Sequence, residues 1–157
     1  MKKKCMTRLG ILLAFSAGLI PALVRGGDSS FKTQDYNGKV IPLAVALEKF
    51  KTKLDPDAAP HALALVTEDD KIYPLIKDAG SRMFFKDKIL LNRPMRLTGR
   101  FVPGSQLLQV VNVHSYRKGQ LHEVYYWCDI CTIRASEGGP CGCCGAPLEL
   151  REVPVKK

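Results

Sequence analysis

The sequence contains no apolar run of 18 residues, which excludes a polytopic membrane protein. It has no Gly-rich phosphate loop, no nucleophile elbow and no paired-carboxylate arrangement, so no set of residues carries a recognisable catalytic role. Neither Cys-x-x-Cys pair is followed by His, since Thr132 and Gly145 occupy those places, and c-type haem attachment is excluded. The three histidines, His61, His114 and His122, neither adjoin the cysteines nor share a metal-ligand spacing. Internal repeats and low-complexity segments are also missing. What remains is a globular balance: 157 residues, 46% hydrophobic and 25% charged, the size of one domain with a small appendage.

Charge is unevenly placed. The formal +9 comes from 24 basic and 15 acidic residues, but Lys2, Lys3, Lys4, Arg8 and Arg25 fall in the first 26 residues, where there is no acid. The remaining 19 basic residues against 15 acids leave only +4. A basic start, the 16-residue apolar stretch Leu9–Val24 and the compact residues Val24 and Gly26 form the layout of a secretory signal cleaved after Gly26. An uncleaved anchor is the alternative, though Leu9–Val24 is short for a span. Cys5 precedes the apolar core and so is not a lipidated cysteine. The expected location is extracytoplasmic, periplasmic or secreted, with no transmembrane segment after cleavage.

Residues 27–60 read as a polar tether followed by an amphipathic helix. Gly27–Asp35 is polar, and Tyr36-Asn37-Gly38-Lys39 carries a turn signal. Pro42 suits a first helical position, and Leu43, Leu47, Phe50 and Leu54 form one apolar stripe that Asp55-Pro56-Asp57 ends. Residues 61–127 read as five short strands at His61–Thr67, Lys71–Ile76, Met95–Phe101, Leu107–Tyr116 and His122–Trp127. Ala79–Leu91 is a short helix or an irregular crossing. The fold class predicted is mainly β, a small five-stranded OB-like barrel with an N-terminal amphipathic helix and a C-terminal four-cysteine metal knuckle over residues 128–157. A plain meander or half-sandwich is the alternative.

A two-residue loop at Lys118-Gly119 sets the pairing of the last two strands. Val113 then faces Val124 and Val111 faces Tyr126 on the core side. The opposite side pairs His114 with Glu123, Asn112 with Tyr125 and Tyr116 with Leu121, with Trp127 alongside. Asn112, His114, Tyr116, Glu123, Tyr125 and Trp127 are therefore the candidate ligand face, or else a sheet surface covered by the Leu43–Leu54 helix.

Five of the six cysteines lie between Cys128 and Cys144. Cys128-Asp129-Ile130-Cys131 is followed after nine residues by Cys141-Gly142-Cys143-Cys144-Gly145. Sulfurs at i and i+3 of a tight turn can reach one metal, and amides beyond the first cysteine can point at its thiolate. Gly145 supplies the permissive φ such a turn needs, which selects Cys128, Cys131, Cys141 and Cys144 as ligands and leaves Cys143 as a free thiol or an alternative ligand. Four thiolates suit Zn²⁺ first, with iron or copper behind it, and a fully protein-ligated ion is structural. Disulfides are the competing expectation outside the cytoplasm, although five mature cysteines leave one unpaired.

The runs LALVTEDDKIYPLIKD (63–78) and LLNRPMRLTGRFVPGSQLLQVVNV (90–113) resemble small bacterial extracytoplasmic proteins with OB-like barrels. The continuation into EVYYWCDIC and CGCCGAPLELRE is similar to an uncharacterised bacterial group that joins such a barrel to a cysteine knuckle of zinc-ribbon or rubredoxin-like type. The resemblance implies an architecture and no known substrate. The expected function is an exported, non-enzymatic binding or scaffolding module with a protein or small-molecule partner. Soft-metal handling, motivated by Cys143, is one alternative. Another is a thiol–disulfide oxidoreductase using Cys128 and Cys131 after Trp127, against which stands a following segment too rich in glycine and proline to form the required helix. Arg82, Lys86, Lys88, Arg93, Arg96 and Arg100 read as a solvated basic face, with an anionic polymer or membrane surface as the alternative partner, and the export signal and mature charge argue against nucleic acid.

Overall fold

The computed structural model describes residues 32–156, so the expected leader at 1–26 and the start of the tether at 27–31 lie outside the described residues. Eight strands build one antiparallel sheet: β1 (Gln34–Pro42), β2 (Leu63–Thr67), β3 (Ile72–Pro74), β4 (Pro94–Phe101), β5 (Leu108–Arg117), β6 (Gln120–Cys128), β7 (Ile133–Ala135) and β8 (Glu149–Pro154). Their order is β3-β2-β1-β4-β5-β6-β7, with β8 paired to β6. The sheet is not closed into a barrel, which corrects the five-stranded expectation. A single parallel bridge joins Leu75, just past β3, to Leu108 at the start of β5, and the Ile76 N–H donates to the Leu108 carbonyl at 3.1 Å. No helix of the described residues is long and apolar enough to cross a membrane.

The largest correction is β1, which takes up the expected turn at Tyr36–Lys39 and the last two residues of the expected tether. Tyr36, Gly38 and Val40 turn inward while Asp35, Asn37 and Lys39 turn out, a period of two hidden by the glycine. Gly38 is there for close approach: a Cβ on it would stand 2.2 Å from the Val66 carbonyl oxygen of β2. The chain therefore runs straight through Asn37-Gly38, and β1 lies between β2 and β4.

The expected helix over Leu43–Leu54 shrinks to α1 (Leu43–Leu47) and one 3-10 turn at Glu48–Phe50. Pro42 ends β1 instead of opening the helix, no side chain caps α1, and Lys51 takes a left-handed φ of 57°. A single turn without a cap gains little from propensity, and Phe50, 62% exposed, has no surface to pack against. The ambiguous 79–91 segment holds α2 (Arg82–Lys86) and a 3-10 turn. Met83, Phe84 and Leu90 from it join Val40, Leu65, Leu97 and Leu108 in the core.

The β5–β6 hairpin pairs His114 with Glu123, Ser115 with His122, Tyr116 with Leu121 and Arg117 with Gln120, the register expected from Lys118-Gly119. Both loop residues have positive φ, as this tight turn requires. Val111 departs from expectation: it is 48% exposed, not core. Thr98 pairs with Asn112 while Gly99 pairs with Val110, so Val111 is the extra residue of a β-bulge. Inward positions are Leu108 and Val110 before it, and Val113 and Ser115 after it.

Candidate metal centre

Strand β6 ends at Cys128, whose side chain is fully buried, and the chain then makes two turns of the same design. In the first, the Thr132 N–H donates to the Cys128 carbonyl at 2.8 Å, and in the second the Gly145 N–H donates to the Cys141 carbonyl at 2.8 Å. Thr132 and Gly145 both sit at positive φ, 53° and 74°. A left-handed residue after each second cysteine folds its pair back onto one point. The Sγ atoms of Cys128, Cys131, Cys141 and Cys144 consequently lie within 4.8 Å of one another, with Cys128 and Cys144 at 3.5 Å. Thiolates at about 2.3 Å from a tetrahedral ion stand roughly 3.8 Å apart, so the four cysteines fit a metal ion and can hold one. Cys143 is exposed and outside this set.

The local field favours thiolate at one position above all. Amide N–H groups of Cys144 and then Cys143 aim at the Cys141 sulfur and pull its thiol down to about 7. At Cys128 the Cys131 amide, 3.4 Å from the sulfur, pulls down, but burial and the Cys144 and Cys141 thiols outweigh it and push the thiol up. Cys131 is pushed up by the thiols of Cys144 and Cys143. Four thiol hydrogens crowded on one point are relieved by a cation that replaces them.

The knuckle is bolted to the sheet. Strand β8 returns beside β6 over His122–Trp127, and β7 pairs with Tyr126–Cys128. Arg151 of β8 pairs with Asp129, between the first two cysteines, and lies 5.4 Å over the Trp127 ring. Glu137, in the loop between the cysteine pairs, holds Lys86 at 2.7 Å and Arg82 at 3.4 Å, tying that loop to α2. Tyr126 donates to Asp87 Oδ2 at 2.7 Å. Sequence reasoning missed Arg151 and Glu137; the alternation Glu149-Leu150-Arg151 is the signal that puts Arg151 on the outer side of β8.

Asn112, His114, Tyr116, Glu123, Tyr125 and Trp127 lie together on the outer side of β5 and β6, but the aromatic rings carry guanidinium groups. Arg134 sits 3.8 Å over Tyr125 and pairs with Glu123 at 2.7 Å. Arg96 stacks 5.6 Å from Tyr116 and donates to its hydroxyl at 2.8 Å, and that hydroxyl donates to Asn37 at 3.0 Å. Trp127 and Tyr125 meet edge to face at 6.3 Å. The β5–β6 ladder stops at His114–Glu123, so the expected pairs Asn112–Tyr125 and Val111–Tyr126 are not formed, and a cavity of about 260 Å³ opens there beside Asn112, Glu123 and Tyr125. The His114 Nδ1 is buried without a hydrogen-bond partner among the described residues.

The expected basic face is largely consumed by partners: Arg82 and Lys86 by Glu137, Arg93 by Glu152 at 2.8 Å, Arg96 by Asn37 and Tyr116, and Arg100 by Gln109 at 2.8 Å. No protein-family model matches the chain, and no curated protein and no solved structure matches it.

Proposed function

We propose that this is an exported, non-enzymatic binding or scaffolding module whose C-terminal knuckle is a structural zinc site. The observation that carries the reading is the convergence of four cysteine sulfurs from two equivalent turns, with all four tetrahedral positions supplied by the protein. Such a site leaves no open position for substrate. Export rests on the basic and apolar leader of the sequence. The strand connections support an OB-like reading of residues 34–117: β1 is flanked by β2 and β4, β4 pairs with β5, α2 separates β3 from β4, and the Leu75–Leu108 bridge brings β3 to β5. In this reading β1 is the first of the five OB-like strands, β1 to β5, of a sheet that stays open, and β6 extends that sheet toward the metal. The outer side of β5 and β6, from Asn112 to Trp127, remains a candidate docking surface, and single-stranded nucleic acid is disfavoured there because the rings already stack on arginines.

A non-enzymatic role is supported by Cys128, which is fully buried at the end of a strand, whereas a redox nucleophile needs access and a helix N-terminus. Cys143 favours one second reading: an exposed thiol beside the four-thiolate cluster suits transfer of a soft cation such as copper(I). Native mass spectrometry with elemental analysis tests the proposal. One zinc per chain is expected, lost in Cys128→Ser and Cys141→Ser and kept in Cys143→Ser. Stoichiometric disulfides without metal overturn it, and copper(I) affinity that depends on Cys143 with the fold intact after metal removal favours trafficking.

A further inference from the structure

We propose that the cavity on the outer face of β1 binds a free aliphatic α-amino acid as its zwitterion. The cavity measures about 280 Å³, at the small end for ligand sites. Its more buried lining is apolar, with Met95 buried and Ile41 and Val66 half-buried, and the exposed Lys39, Glu68 and Asn92 stand at its rim. Lys39 pairs across the ladder with Val66, and Glu68 follows two residues later, just past the end of β2, so both residues line the same cavity.

Neither the Lys39 nor the Glu68 side chain has a hydrogen bond, ion pair or ring contact among the described residues. The next two acids do: Asp69 pairs with Lys71 at 2.7 Å and Asp70 with Lys49 at 3.2 Å. An ammonium and a carboxylate therefore flank an apolar floor without satisfying each other. A ligand carrying a carboxylate for Lys39, an ammonium for Glu68 and an aliphatic side chain for the floor completes all three. The Asn92 side-chain amide, also without a protein partner among the described residues, can add a donor to the ligand carboxylate. A simple anion would meet Glu68 and a simple cation Lys39, so the paired charges select for the zwitterion. The site extends the binding-module reading by naming a ligand class, and it needs no metal.

The test is titration of the full, zinc-assayed chain with L-leucine, followed by amide NMR shifts and calorimetry. Saturable binding is expected, with shifts at Lys39, Glu68 and Asn92. 4-Methylpentanoate, which lacks the ammonium, and isoamylamine, which lacks the carboxylate, should each bind at least about tenfold more weakly. Lys39→Met and Glu68→Gln, both on the exposed rim, should each weaken leucine by a similar factor. The exchanged pair Lys39→Glu/Glu68→Lys should recover most of the affinity. Absence of saturable shifts, or equal binding of leucine and 4-methylpentanoate, overturns the proposal. The zinc content of the same sample reports on the metal reading separately.

Discussion

Arg117 grips Glu152 at two points, its Nε and Nη2 each 2.6 Å from a carboxylate oxygen. Arg93 adds a contact at 2.8 Å, and the Ser115 hydroxyl donates to the same carboxylate. With its side chain 5% exposed, Glu152 fastens β8 to β5 and to the segment leading into β4. Removing its charge strands two guanidinium groups, of which Arg93 is the more enclosed. Glu152→Gln should cost about 3 kcal/mol of folding stability, the lower end for breaking a buried pair because Arg117 is partly solvated. Urea unfolding at neutral pH measures it.

The same group sets an acid limit. Burial raises the Glu152 carboxyl, but Arg117, Arg93 and Ser115 outweigh it and hold it at about 2. The unfolded chain protonates the same carboxyl near 4.3. Its contribution is therefore complete above about pH 4.3 and disappears as pH falls through about 2. Urea midpoints measured from pH 7 to pH 2 should show the gap between wild type and Glu152→Gln closing over that window. A gap that stays constant to pH 2 contradicts the assignment.

Thr132 and Gly145 hold matching left-handed positions with unlike residues. A β-branched side chain is strained at φ 53°, a penalty of about 1–2 kcal/mol that glycine escapes at some cost in chain entropy. Thr132→Gly should therefore raise stability by about 0.5–1 kcal/mol, whereas Gly145→Val should lower it by about 1–2 kcal/mol. Thermal melts of the metal-loaded protein distinguish the two signs.

Chelation should act unevenly. The knuckle feeds β7 and β8, which among the described residues touch the core only through the half-buried Ala135 and Leu150, while β1, β2, β4 and β5 supply buried residues such as Val40, Leu65, Leu97 and Leu108. Hydrogen exchange after metal removal should accelerate in Ile133–Ala135 and Glu149–Pro154 and stay slow in Val40, Leu65 and Leu97. Uniform acceleration would mean that the metal supports the whole sheet.

The parts legible in the sequence were those written in short-range spacing. Lys118-Gly119 determines a hairpin register because two residues leave few ways to turn, and the cysteine pairs declare themselves because i and i+3 suffice for a knuckle. Strand β1 was illegible because Gly38 meets β2, far along the chain at Val66 and Thr67, and a glycine needed for close approach reads like one needed for a turn. The Leu43–Leu54 stripe had helical spacing without a surface to bury it. The basic stretch looked solvated because its acids arrive from afar: Glu137 and Glu152 belong to the returning C-terminal segment.

The bulge at Val111 lets one strand serve two masters. Before it, β5 answers to the β4 end at Gly99–Phe101 and the bridge to Leu75; after it, to the hairpin with β6 that leads to the cysteines. One uncounted residue resets the in-and-out rhythm between these duties, so both Val110 and Val113 point inward. The side chain at 111 is then nearly arbitrary, and its mere presence is not. A polar residue there should pass unnoticed, whereas removing the position would turn one half of the strand inside out and carry the metal-bearing end of the sheet with it.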